Sequence, residues 1–460
     1  MAGASMALGQ GEGSGTDNPD LLRGSLGVGC RPGTLCQFPA ADLAAPMAGP
    51  IAVPLHSAPP LTSSAPISPV TPTPPALVDH ASAPVAAVSA APMHADTADW
   101  GVLGYGVALR GAYVRSGTTE RFELLAIPSV SFSRSGSATD LELGASATLV
   151  LPQSDDLRIG AANVSARGVH RLSPSAGLAF NADLALSQDA PDGLSTDQTG
   201  LARAPVRVSG AAGLAYTQRF GQFAVTGGAD LGREWVGNSE RIDGTSADNS
   251  HEQVTSYGGN LRIGYELTPV VSVFGQGGAG RSEFDGVDPD LGASRTGNDF
   301  ELRGGIAANW QDVVTLEASL GSGWRQFDDA AISEAQSWLY GLSLGYRPTT
   351  TTELIASFDT ELTAGEGSSG AGALYGLELE ARHRANSWLA LRAAVGAQWD
   401  VPDDNSPTTR TYSAGLGADV TVGQRTTATL DYEYGLREDP AAANVSRDEH
   451  RISGGISLQY

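Results

Sequence analysis

The residues that could do chemistry are scattered along the chain rather than gathered. Seven histidines, His56, His80, His94, His170, His251, His383 and His450, include no two at metal-ligand spacing. His251 and His450 are expected to begin strands at an outer rim, and His383 to face outward beside a short turn. A hydrolase would need a serine, a histidine and an acid converging at one rim, and nothing in the spacing brings such a set together. Asp285, Asp288 and Asp290 offer oxygen ligands for calcium but lack a defined loop pattern. A solvated acidic loop, bridged to lipopolysaccharide by divalent ions, is the expectation there. Gly275, Gly277, Gly278 and Gly280 precede no helix, so they cradle no phosphate; in a strand they permit close packing or curvature. The chain is therefore expected to be no enzyme, with no metal and no cofactor.

The chemistry that remains is electrostatic. Arg262, Glu301, Arg303, Glu317, Arg325, Glu378, Glu380, Arg382, Arg392, Asp419, Asp431, Glu433 and Arg451 fall on one parity of successive alternating segments. Such a set can line a polar conduit and fix its field, or stiffen a closed wall through cross-strand ion pairs. The formal net charge is -23, and all 28 basic residues are arginine. An acidic chain of this kind has no electrostatic case for binding nucleic acid.

The elements that must position these residues are strands of period two. In Arg451–Tyr460, Ile452, Gly454, Ile456, Leu458 and Tyr460 oppose Arg451, Ser453, Gly455, Ser457 and Gln459. The pattern recurs from about residue 101 onward. Phe300, Leu302, Ile306, Ala308 and Trp310 oppose Glu301, Arg303 and Asn309; Leu430, Tyr432, Tyr434 and Leu436 oppose Asp431, Glu433 and Arg437. Charges keep to one parity, as expected if the other touches lipid, where a mid-depth arginine costs about 2–4 kcal/mol. No run approaches the length of a membrane-spanning helix. A mean hydropathy of -0.12 is compatible with a barrel, which offers lipid only every second residue.

Compact turns recur at 171–174, 219–222, 267–269, 311–312, 347–350, 384–387 and 423–425, and longer acidic loops lie between them. Four earlier strands, near 103–115, 119–134, 138–151 and 156–170, complete the series. The fold class is all-β: a transmembrane antiparallel β-barrel of about 18 strands, or about 16 if the first pair does not insert, with both ends at the short-turn, periplasmic side. Aromatics gather at strand ends. Tyr265, Trp310, Tyr346, Trp388 and Tyr460 lie beside short turns; Trp235, Tyr257, Trp324, Trp338, Tyr375, Trp399 and Tyr412 lie beside long loops. Two interfacial girdles account for that placement.

Residues 1–100 form a separate unit, Pro/Ala/Ser-rich and expected to be disordered: a periplasmic spacer, or sequence before a misassigned start. They hold both cysteines, Cys30 and Cys36, expected to be an incidental pair or a short periplasmic disulfide. Residues 1–30 lack a basic segment followed by an apolar one, so no export signal is evident, and a misplaced start codon is the favoured account.

Trp338–Thr350, Glu353–Ser357, Tyr375–Arg384 and Tyr412–Val420 resemble the outer-membrane β-barrel porins of proteobacteria, and more narrowly the putative β-barrel porin 2 type. The likeness covers about 101–460. It implies a channel in the outer membrane of a Gram-negative bacterium, for export or diffusion of polar solutes such as exopolysaccharide. A general diffusion porin, which would show a constriction formed by an infolded loop, and a structural or adhesive barrel with a closed lumen are the alternatives. The expected partners are outer-membrane lipid and lipopolysaccharide, the barrel assembly machinery through the C-terminal strand, and periplasmic polysaccharide-export components.

Overall fold

The computed structural model describes residues 101–460 apart from 154–156, 192, 195–200, 290, 312, 365–370, 404–406 and 440–444. The expectation for 1–100, the cysteines included, and the ligand role of Asp290 lie outside the described residues. The strands are β1 (Val102–Ser116), β2 (Thr119–Ser135), β3 (Thr139–Pro152), β4 (Arg158–Ser173), β5 (Ala176–Gln188), β6 (Leu201–Arg203) and β7 (Val206–Phe220). They continue as β8 (Phe223–Val236), β9 (Ser239–Arg241), β10 (Ser246–Ala247), β11 (Val254–Glu266), β12 (Val271–Phe284), β13 (Gly297–Trp310) and β14 (Val314–Phe327). The last are β15 (Ala335–Thr349), β16 (Thr352–Thr363), β17 (Gly372–Arg384), β18 (Leu389–Pro402), β19 (Arg410–Thr421), β20 (Thr426–Asp439) and β21 (Val445–Gln459).

Eighteen of these form one antiparallel sheet that closes on itself, while β6, β9 and β10 make a small separate sheet within the loops. Closure comes from β1 pairing with β21. Tyr105 N–H donates to the Tyr460 carbonyl at 3.1 Å and Tyr460 N–H to the Tyr105 carbonyl at 2.9 Å. A closed sheet leaves no unpaired edge, which a backbone surrounded by hydrocarbon requires. The first strand pair is part of the wall, so the count is 18 and not 16.

One rim carries connections of two to four residues: 136–138, 174–175, 221–222, 267–270, 311–313, 350–351, 385–388 and 422–425. The opposite rim carries the long ones, 189–205 and 237–253 above all, although it begins with the short connections 117–118 and 153–157. The two-residue turn between β7 and β8 depends on Gly221, whose φ of 61° is strained for a residue with a Cβ.

Side chains alternate as the period-two pattern requires. Leu302, Ile306 and Trp310 of β13 are exposed on the outer surface, and Asp299, Glu301 and Arg303 are buried within. The sequence pattern hid three register shifts, at Thr148/Leu149, Arg171/Ser173 and Tyr346/Thr349, of which the first falls well within the ladder. Thr148 pairs with Ala161 and Leu149 with Ile159, leaving Gly160 as a bulge. Beyond it the outward parity of β4 switches from Ile159 to Val164, and a strict alternation drawn through the strand goes out of phase. The interior is also not polar throughout. Ala112, Val114, Leu125 and Val150 form a small apolar cluster on the inner wall of β1, β2 and β3.

Candidate functional site

The inner wall is organised as separate networks of arginine and carboxylate. On β18–β20 and β1, Arg392 grips Asp419 at two points, Nε–Oδ2 2.8 Å and Nη2–Oδ1 3.1 Å. Its Nη2 also reaches Asp431 Oδ1 at 2.8 Å, and Arg110 Nη1 holds the other oxygen of Asp431 at 3.1 Å. Gly417 makes room for this chain, because a Cβ there would strike Asp431 and Arg392. The network floors a small, half-open recess facing the bore, lined by Glu380, Arg382, Arg392, Asp431 and Glu433 among others.

A second network centres on Glu123 of β2. Its Oε1 accepts from Arg121 at 2.9 Å and from Arg158 at 3.2 Å, and its Oε2 from Arg451 at 2.8 Å. The Glu123 side chain is wholly buried, so its charge is compensated by arginines and not by water.

A third network spans β11–β14. Arg262 pairs with Glu317 at two points, both 2.8 Å, while its guanidinium lies 3.5 Å from the centre of the Phe274 ring. Phe274 lies over Gly305, its partner across the ladder, where a Cβ would collide with the ring. Glu301 accepts from Arg303 Nε at 3.1 Å and from Gln276 at 3.3 Å. Nearer the long loops, the fully buried Arg325 sits 3.0 Å from Asp299. Arg382 and Glu380 approach only to 4.0 Å, and Glu378 continues their row one pair of residues further along β17.

All thirteen charged positions named from the sequence thus lie on the inward face, but they form several networks, not one site. Sequence reasoning missed Arg110, Glu123 and Asp299, which are buried on the same face; Arg437, already placed on the charged parity of its strand, is buried there too. The signal was present: Arg110 follows outward Leu109, and Glu123 stands between outward Phe122 and Leu124. Phe274 gave no such signal, since its inward position depends on a glycine on another strand.

The bore is crossed near the long-loop rim. Leu194, in the connection after β5, is buried against Gly435 of β20, and Arg437 Nη1 donates to the Leu194 carbonyl at 3.4 Å. Gly435 shares the inward parity of Asp431 and Glu433. Around the barrel β5 and β20 are six strands apart by the shorter way, so the connection leaving β5 reaches the far wall at Leu194 and acts as a strap across the mouth.

On the outer surface the aromatics fall into two bands. Tyr265, Trp310, Tyr346, Trp388 and Tyr460 lie at the short-turn rim; Trp235, Tyr257, Trp324, Trp338, Tyr375, Trp399 and Tyr412 lie towards the long loops. From the level of Trp310 to Trp324 is ten residues of β14, about 33 Å along the strand and about 25 Å after a tilt of ~40°. At the level of this band the parity rule for charge fails, since Arg281 pairs across the ladder with Tyr257 and Arg233 lies two residues before Trp235. Outward Arg233 binds Asp285 at 2.9 and 2.5 Å, and outward Arg281 binds Asp328 at 2.7 Å and Glu283 at 2.9 Å. Both arginines are ion-paired to carboxylates of the long-loop rim, which offsets the cost of charge at the level of the aromatics. The hydrogen bonds from Arg233 and Arg281 hold the Asp285 and Asp328 carboxyls below the ordinary carboxylate range. The outer-rim histidines differ from expectation: His251 lies in the 3-10 turn Ser250–Glu252, and His450 stands inside β21, 3.0 Å from the Tyr432 hydroxyl. His383 is exposed, with Nδ1 2.9 Å from Thr352 Oγ1.

A family model described as "Putative beta-barrel porin 2" matches residues 89–460. No curated protein matches the chain at a significant level. Among solved structures, the outer membrane protein OpdK from Pseudomonas aeruginosa is 13% identical, over 78% of this chain and 99% of that one, with a TM-score of 0.38. The FrpB iron transporter from Neisseria meningitidis is 10% identical, over 73% of this chain and 62% of that one, with a TM-score of 0.40.

Proposed function

The chain belongs to the putative β-barrel porin 2 family, and from that premise we propose that it is a non-enzymatic outer-membrane channel of a Gram-negative bacterium through which small polar solutes diffuse. The observation that carries the reading is the inward placement of the Arg–acid networks, from Arg262 and Glu317 round to Arg451 and Glu123. A wall of this kind can fix the field of a water-filled conduit. Acids outnumber bases in the chain, which carries a formal net charge of -23, and the expected preference is for cations. The outward aromatics are read as two girdles at the lipid interfaces, with lipid, lipopolysaccharide and the barrel assembly machinery as partners.

The strap held at Leu194 supports restricted diffusion over free passage, because it lies where an infolded loop would constrict the mouth. The finer reading is export of an exopolysaccharide. Its support is the recess around Glu380, Arg382 and Glu433, whose donors and acceptors suit sugar hydroxyls. An extended polymer would also need the strap to withdraw.

The test is single-channel recording of the refolded protein in a planar bilayer under a salt gradient. Ohmic conductance with a small reversal potential of cation-selective sign is the expected result. A verified folded barrel that passes no current would remove the diffusion reading and leave a closed surface scaffold.

A further inference from the structure

The closure of the sheet has one local exception. Between β15 and β16 the ladder runs from Thr349 and Thr352 up to Gly341 and Asp359, and stops there. Both strands continue: β15 begins at Ala335 and pairs with β14, and β16 ends at Thr363 and pairs with β17. The pairs that would set Thr360–Thr363 against Ser337–Tyr340 are not made, which leaves about 13 Å of edge unzipped. Among the described residues no other ladder leaves both of its strands running on unpaired over such a length. The gap lies at the level of the outer aromatics, since Thr360 pairs with Tyr375 and Tyr375 with Trp399. Trp338 and Tyr340 stand exposed on the free stretch of β15.

There the wall overlaps itself. Leu362 has the parity of outward Leu354, and Leu339 faces inward between exposed Trp338 and Tyr340. Yet both converge on Gly323, on the inner face of β14, where a Cβ would lie 2.8 Å from Leu362 and 2.9 Å from Leu339. Thr360, of the same outward parity, is wholly buried. The outer end of β16 is therefore tucked behind β15, its outward face against the inner face of its neighbour. Arg303 of β13 holds it from the bore side, donating from Nη2 to the Thr360 carbonyl at 3.3 Å. Leu339, Thr360, Leu362 and its ladder partner Ala373 carry no charge, whereas Asp299, Arg325 and Asp400 stand on the inner wall of nearby strands.

An unpaired strand edge is costly at lipid depth and persists only where something covers it. Here the cover is an apolar overlap. Parting β15 from β16 at this level breaks no ladder bond; it separates Leu339 from Leu362 and releases one hydrogen bond from Arg303. At a fully paired junction the same movement would strip backbone groups of their partners.

We propose that the β15–β16 overlap is a lateral portal between the bore and the outer leaflet, and that it passes amphiphiles with one apolar chain and a polar head. The chain slides between Leu339 and Leu362, and the head keeps to the polar bore, where Arg303 and Asp359 stand at the foot of the seam. The inference goes beyond diffusion along the bore. It rests on reading the outer aromatics as the lipid interface and does not require the barrel to conduct ions.

The experiment uses the full chain in lipid vesicles that hold palmitate with a diazirine in mid-chain. After irradiation, mass spectrometry of the digested protein locates the adducts. Outward Leu354 should be labelled in any inserted barrel. Expected in addition are adducts on inward Ser343 and Ser357, which pair just below the seam. None is expected on inward Ser165 or Ser209, which are paired on both sides. A second preparation carries Cys30→Ser, Cys36→Ser, Leu339→Cys and Leu362→Cys. Oxidation should bridge the two new cysteines and abolish the inward adducts while sparing those at Leu354, and a reductant should restore them. Absence of inward adducts in the wild type, equal labelling of Ser165 and Ser209, or inward labelling that persists in the bridged form would each overturn the proposal. Failure of the cysteines to bridge, in a barrel of normal heat-dependent mobility, would overturn the overlap itself. Single-channel current from the bridged protein reports separately on the channel reading, because the seam can be shut while the bore conducts.

Discussion

Leu194 packs against Gly435 on the inner wall six strands away, and the carbonyl of the same leucine accepts from Arg437. The mouth of the barrel is therefore held by a contact that depends on the missing side chain of one glycine. Gly435→Leu should expel the strap, since the new side chain would occupy the space Leu194 now fills. Single-channel conductance is expected to rise clearly above wild type. An unchanged value in a correctly folded variant would show that the strap does not limit flow.

Glu123 is the shared acceptor of Arg121, Arg158 and Arg451. Glu123→Gln keeps the shape and removes the charge, leaving a cluster of arginines undercompensated inside the bore. Removing one partner of a buried ion pair costs about 3–5 kcal/mol. A lower urea midpoint for unfolding is expected, together with a reversal potential displaced towards anions. A potential displaced towards cations would contradict the assigned inward field.

Arg262 combines a two-point bond to Glu317 with a face-on contact to Phe274. Lysine can supply the charge but neither the planar fork nor the stacking. Arg262→Lys should therefore destabilise the barrel by about 1–3 kcal/mol, read by denaturant titration in detergent. Full retention of the wild-type midpoint would mean that the pair is held by position alone.

At the outer rim the carboxyls of Asp285 and Asp328 are held below their ordinary value of 3.8 by hydrogen bonds from Arg233 and Arg281. Their contribution is complete above that value and is lost as pH falls through the lower folded values. Both pairs are well exposed, so the effect is no more than about 1 kcal/mol. Hydrogen exchange at the Asp328 N–H, which donates to the Thr296 carbonyl, should be insensitive to these pairs near neutrality and lose protection below pH 3.8. Asp328→Asn should remove that dependence. Loss of protection already at neutral pH in the wild type would argue against rim order from these pairs.

Much of this architecture was legible because a barrel writes its geometry every second residue. Arg303 between Leu302 and Gly304, or Glu433 between Tyr432 and Tyr434, needs only the pleat to be placed. The even strand count and the side of each turn followed from the alternation of compact and long connections. What parity could not give was partnership. Arg262 meets Glu317 across two intervening strands, and Glu123 of β2 meets Arg451 of β21 only after closure. Gly160 was illegible for another reason, since a bulge adds one residue to a strand without changing its composition. The strap was equally hidden: a loop that enters the bore and one that stays outside can share the same Gly/Ser/Asp content.

The hydrogen bonds between Tyr105 and Tyr460 place the first and last strands side by side at one rim. The wall consequently has no structural beginning. Joining its ends and opening any of the two-residue turns, such as the one at Gly221, would give a permuted chain with the same set of strand neighbours. For surface display, epitopes fused to either end of the barrel would report on one compartment only. A foreign sequence meant for the opposite compartment has to enter through a loop, and the hairpin between β9 and β10, with Ile242 exposed at its tip, is the natural point of insertion.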